Sequence, residues 1–133
     1  METYGECPTL TGKLAIPFVR GSQGNDMSGA SLDRNGTWLA GSCCKHYAAY
    51  DLESYPIDRG HFSANVSARD MFEYYLPPFH DCIATAEAMH VMTALNAING
   101  VAASADPELV DGLLRNFSDS WGFTGFVVTD YGG

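Results

Sequence analysis

Three short apolar runs constrain this chain more than anything else in it: WLAGSCCKHYAAY (38–50), HVMTALNAING (90–100) and TGFVVTD (124–130). None keeps a 3.6-residue apolar period, so each reads as a buried strand, the first centred near Leu39 to Lys45. Helix-length connections separate them. Ser67 with Asp70 three residues on resembles a capping box, opening a helix that breaks near Pro77-Pro78 and resumes through FHDCIATAEA. Asp106-Pro107-Glu108 supplies an N-cap, a proline at the first helical position and an acid in the first turn, ahead of Leu109, Leu113 and Leu114. Strands joined by helix-length crossovers pair in parallel, so the order predicts an α/β fold with a parallel sheet. Ahead of it, LTGKLAIPFVRGSQG reads as a helix carrying Leu10, Leu14 and Phe18, bent at Pro17 and stopped by glycines. NDMSGASLDRNG and DLESYPIDRGHF read as loops.

The 133 residues have the length of one modest domain or of a piece of a larger one. Sixteen acids against seven bases give a net charge of −9, and the bases are not clustered. Nucleic acid is therefore not an expected partner, because phosphate binding needs gathered Lys and Arg; a neutral ligand such as a sugar suits the charge better. No apolar run is long enough to span a membrane. The amino terminus lacks the basic and apolar regions of a signal peptide. Three N-glycan acceptor patterns nevertheless occur, at Asn35, Asn65 and Asn116, and three in so short a chain point to a secreted protein. Cys7, Cys43, Cys44 and Cys82 are even in number and show no metal-binding spacing. Buried thiols and a disulfide are both compatible with them.

In parallel α/β folds, ligands bind at the carboxyl ends of strands, where the departing loops converge. Polar groups follow all three strands here: Lys45-His46, then Asn96 and Asn99, then Asp130. Taken singly, each has a plain alternative. A lone Asp after a strand is most often a helix cap, and a Lys-His pair is most often accident. His61, His80 and His90 share no metal-ligand spacing and read as surface or satisfied core residues; no metal or organic cofactor is implied. Tyr74 and Tyr75 lie on the interrupted helix, where packing explains them.

Several segments read in order, ETYGECP, CKHYAAYDLE, VSARDMFEYYLPPF, VMTALNAINGV and LLRN…WGFTGFVVTD, resemble glycoside hydrolase family 3, closest to its β-xylosidase branch. The resemblance covers nearly the whole chain. It implies a partial (β/α)8 TIM-type barrel with parallel strands, residues 1–133 being a fragment of the N-terminal catalytic domain, with other barrel strands and a second domain missing. It implies hydrolysis of terminal β-linked xylose, or glucose, from oligosaccharides by a retaining double displacement. Asp130 falls on the family's nucleophile, and Lys45 and His46 fall on its sugar-hydroxyl-binding pair. Tyr131 would cover a sugar face, and the acid/base glutamate would come from the second domain. Three departures stand out. Cys7 replaces the Asp of a GED-P pattern, Leu95 replaces a tyrosine, and Thr93 and Ser104 occupy positions that cysteines often hold. A noncatalytic remnant with weak sugar binding is the rival expectation.

Overall fold

The computed structural model describes residues 3–33, 35–115 and 121–132. Helix α1 spans Pro8–Gln23, running through Pro17, and ends on Gly24. Gly24 has a φ of 84°, the left-handed conformation that lets its N–H turn back onto the carbonyls of Arg20 and Gly21. Cys7 is the N-cap but makes no side-chain cap bond. The face α1 buries is not the large apolar stripe of Leu10, Leu14 and Phe18, which is exposed, but a small one: Gly12, Ala15, Val19 and Gln23. Gly12 shows why. A Cβ there would lie 2.1 Å from the Asp81 carboxylate, so any larger residue would have to displace that side chain.

Strand β1 is Cys43–Tyr47, shorter and later than predicted; Leu39 lies outside it, exposed. A two-residue strand β2, Ser63–Ala64, follows the polar loop. Helix α2, Ala68–Asp70, is capped by Ser67, whose Oγ accepts from the Asp70 N–H and donates to the Asp70 carboxylate. Asp is too short to reach back to the Ser67 backbone, so the second half of the expected box closes on the hydroxyl instead. The helix widens into a π-type stretch, Met71–Tyr75, and restarts at the prolines as α3, Pro77–His80, followed by a second π-type stretch, Asp81–Thr85.

The second predicted strand divides into two pieces. β3 is His90–Thr93, and the rest forms β4, Ala97–Ile98, paired antiparallel with β5, Val101–Ala102. Asn99 and Gly100 have φ of 50° and 89°, so Asn-Gly forms the two-residue turn that joins β4 to β5. Asp106 caps the helix Glu108–Arg115 as predicted, its Oδ1 accepting from the N–H groups of Glu108 and Leu109. β6, Phe126–Thr129, completes a three-stranded sheet of order β1-β3-β6, parallel throughout. β2 pairs parallel with β4 in a second small sheet. The crossover order and parallel pairing are those of a partial α/β barrel. Tyr47, Val91, Leu114, Ile83 and Ala86 form the centre of one core between the sheet and the helices.

Candidate active site

The site is built where β1 and β6 end on either side of β3. Register places Tyr47, Thr93 and Thr129 level across the sheet, so Asp130 leaves β6 close to the level at which His46 sits on β1. Two strand spacings, roughly 9–10 Å, separate these backbones. The side chains close the gap: His46 Nε2 lies 3.5 Å from Asp130 Oδ2. Their side chains are 19% and 17% exposed, sheltered yet reachable from solvent. The other carboxylate oxygen, Oδ1, accepts from the Tyr131 N–H at 2.6 Å. Each oxygen of Asp130 thus has one polar neighbour, the imidazole at Oδ2 and the Tyr131 N–H at Oδ1.

The segment bearing His46 leaves regular strand geometry. The β1–β3 register slips between Cys44 and Tyr47, and the Lys45–His46 and Tyr47–Ala48 peptide bonds are cis. Lys45 is exposed beside His46. Its charge partly offsets the burial that pushes the Cys43 thiol up. Cys44 is bonded to Cys82, a disulfide that ties β1 to the helix behind it, while Cys7 and Cys43 are free. Tyr47 is fully buried, its hydroxyl donating to the Leu109 carbonyl; burial, and then the charge of Asp106, pushes that phenol well above the ordinary tyrosine range.

Not every predicted residue joins the mouth. Asn96 is fully buried and Nδ2 lies 3.4 and 3.2 Å from the carbonyl oxygens of Ala48 and Ala49. Asn99 uses its amide to bind both the N–H and the carbonyl of Val66. Both are therefore turned to the protein's own backbone rather than outward. Tyr131 is 98% exposed. His61 lies near Asp58, His80 against Trp121, and His90 stacks on Phe126. Asn35 and Asn65 are exposed, and Asn116 lies outside the described residues. Tyr50, which no spacing argument singles out, packs edge-on against His46 at 5.2 Å and stacks on Phe62. Tyr75 donates to Asp51 in the same loop region; burial first, and then that carboxylate, pushes its phenol up to about 12. No described helix is long and apolar enough to cross a membrane.

A carboxylate and an imidazole thus face each other over the carboxyl end of a parallel sheet. The family model for the glycosyl hydrolase family 3 N terminal domain matches residues 1–133. This chain belongs to glycoside hydrolase family 3. Among family relatives, the probable beta-D-xylosidase 7 of Arabidopsis thaliana is 42% identical over 130 residues, covering 97% of this chain and 16% of that protein. The beta-D-xylosidase 3 of the same plant is 37% identical over the same shares. A solved family 3 exo-beta-xylosidase (XlnD), in complex with a xylobiose aziridine activity based probe, superposes with a TM-score of 0.84. It is 30% identical over 98% of this chain and 16% of that one. Beta-glucosidase 3B from Thermotoga neapolitana, in complex with glucose, gives a TM-score of 0.75 at 33% identity, over 96% of this chain and 15% of that one. The chain spans about a sixth of the length of these relatives.

Proposed function

We propose that this chain is part of the catalytic barrel of a longer, secreted, retaining glycoside hydrolase that removes terminal β-linked xylose from oligosaccharides. The observation that carries the reading is the 3.5 Å approach of His46 to Asp130 at the ends of two parallel strands. In this reading Asp130 attacks the anomeric carbon, forming a glycosyl ester as the bond to the leaving oxygen breaks. A carboxylic acid supplied from outside residues 1–133 protonates that oxygen. Water, deprotonated by the same group, then cleaves the ester and frees the sugar with its configuration retained. His46 and Lys45 bind sugar hydroxyls: an ammonium donates, and an imidazole can donate or accept. In the same reading Tyr131, 98% exposed and next to Asp130 in sequence, covers a sugar face.

Xylose is preferred to glucose because the relatives cited above are named xylosidases and the solved xylosidase gives the higher TM-score of the two neighbours. A Cys44–Cys82 disulfide and exposed acceptors at Asn35 and Asn65 support passage through an oxidising secretory compartment, with Asn116 as a third acceptor. The exposure of Phe126 and Val128 favours a longer parent, whose further strands would cover β6. Expressed alone, residues 1–133 should melt without cooperativity and should not hydrolyse nitrophenyl xyloside.

The deciding experiment treats the longer enzyme with a 2-deoxy-2-fluoro xyloside bearing a good leaving group and maps the trapped sugar by peptide mass spectrometry. The label is expected on Asp130. Label on any other carboxylate would overturn the assignment. Glycopeptide analysis of the secreted protein should find at least one of the three asparagines modified, and three bare sites would count against secretion.

A further inference from the structure

We infer that Asn96 is a positioning residue for His46, holding the backbone that leaves β1 so that the imidazole stays opposite Asp130. The inference rests on the reading of His46 as a sugar-binding group. Residues 45 and 46 fall where the β1–β3 register slips. The segment is also tied on both flanks. Upstream, Cys44 is tied through its disulfide. Downstream, the Tyr47 carbonyl accepts from the Ala94 N–H at 2.7 Å, and then the chain departs through Ala48 and Ala49. Ala49 has a φ of 54°, in the left-handed region where a residue with a Cβ is held only by its surroundings.

Both carbonyls of that departing segment point at one donor group. Asn96 Nδ2 lies 3.4 Å from the Ala48 oxygen, 3.2 Å from the Ala49 oxygen and 3.1 Å from the oxygen of Ala97. Its two hydrogens are shared among three acceptors. Reversing the amide would set its oxygen against three carbonyl oxygens, so the neighbours determine its orientation. The other end of the same amide is unsatisfied: Asn96 Oδ1 is buried with no hydrogen-bond partner among the described residues. A side chain present only to fill space would be better apolar, because an orphan buried acceptor is a cost. The donor half of the amide is what this position needs. Its effect reaches the imidazole by two routes, back through Tyr47 along the chain and forward through Tyr50, whose ring edge rests on His46.

A double-mutant cycle in the longer enzyme tests this, comparing Asn96→Ala, His46→Ala and the double variant by kcat/KM on a nitrophenyl xyloside, with Tm recorded for each. Asn96→Ser, which keeps one donor, carries the same cycle should the alanine variant fail to fold. Asn96→Ala should lose about ten- to a hundredfold with His46 present, the serine variant recovering part of it. With His46 already removed, the further loss should be no more than about threefold, because the residue it positions is gone. Equal losses in both backgrounds, with His46→Ala itself impaired, would overturn the positioning role and leave the hydroxyl-binding reading intact. Full activity in His46→Ala would overturn that reading, and this inference with it.

Discussion

β1 and β6 flank the same central strand in the same parallel sense, yet they are held very differently. On the β1 side, Cys44, Tyr47, Val91 and Thr93 are each at most 4% exposed. On the β6 side, in register with the same β3 residues, Val127 is half-buried and Thr129 exposed, and on the opposite face Phe126 is 68% exposed. The β3–β6 register is unbroken while the β1–β3 register slips, so the firmer hold on β1 comes from side-chain cover rather than from the ladder. α3 and the π-type turns press on the β1 half, where a disulfide and two buried side chains, Tyr47 and Asn96, tie the backbone. The strand carrying the proposed nucleophile has pairing on one edge and little over its outer face. Strand pairing therefore sets direction and level, while burial sets how firmly each strand end is held.

The largest expected effect falls on the weakly covered side. In the longer enzyme, Asp130→Asn should cut turnover by several orders of magnitude, since no covalent intermediate can form. His46→Ala, on the firmly held side, should weaken transition-state binding by about 2–4 kcal/mol, roughly thirty- to a thousandfold in kcat/KM. Chemical weight and structural support would then lie on opposite strands. Steady-state kinetics on purified variants checks this, and a His46→Ala loss as large as that of Asp130→Asn would break the contrast.

Next in size is the disulfide. It closes a sequence separation of 38 residues, for which chain-entropy arguments give about 4 kcal/mol. Replacing Cys44 and Cys82 together by alanine should cost about that much stability, read from the denaturant midpoint of the longer enzyme. A change below about 1 kcal/mol would show that apolar burial alone anchors β1.

Much of this arrangement was legible beforehand, for reasons that can be named. Asp106-Pro107 and the Ser67 cap are local devices whose geometry depends on few neighbours, and both appear where the residues put them. The parallel order followed from connection length, whereas the approach of His46 to Asp130 depends on side-chain reach across β3 that no spacing encodes. What was not legible depends on distant partners. Leu10, Leu14 and Phe18 form the stronger apolar stripe, but α1 buries its small face because Gly12 admits Asp81 closely, which no local pattern encodes. The hairpin around Asn99-Gly100 was not legible either, because the two-residue strands beside it are too short to show a period. Asn96 was placed at the right strand end but turned the wrong way. Its orientation depends on the carbonyls of Ala48 and Ala49, which irregular backbone leaves without ladder partners.

A smaller effect tests the cover argument directly, by amide exchange in residues 1–133. The Ala94 N–H donates to the Tyr47 oxygen at 2.7 Å and the Phe126 N–H to the Met89 oxygen at 3.0 Å, one bond from each side of β3. Opening the first must expose a fully buried tyrosine, whereas the second opens beside a ring already in solvent. Phe126 should exchange at least about tenfold faster, a difference of about 1.4 kcal/mol. In the longer enzyme, with β6 covered, the gap should narrow. Equal rates in the 133-residue chain would mean that pairing alone decides local stability.

The smallest effect inverts the comparison, because the buried half contains the group that alkali attacks. Burial holds the Tyr47 phenol protonated well above the ordinary tyrosine range. Between roughly pH 10 and that raised value, the unfolded chain releases a proton that the folded chain keeps, so the unfolded state binds fewer protons and stability falls as pH rises. Tyr75, shifted to about 12, acts in the same direction but is more exposed and contributes less. Tyr47→Phe should cost about 1 kcal/mol at neutral pH through loss of the bond to the Leu109 carbonyl. Above pH 10 the variant should lose stability less steeply than the parent, so the two curves converge. Denaturant midpoints of the longer enzyme, measured at neutral pH and at intervals from pH 9 to about 11.5, check the sign. Parallel curves would mean that Tyr47 ionises in place without opening the core, and that the β1 half owes its firmness to the disulfide and Asn96 instead.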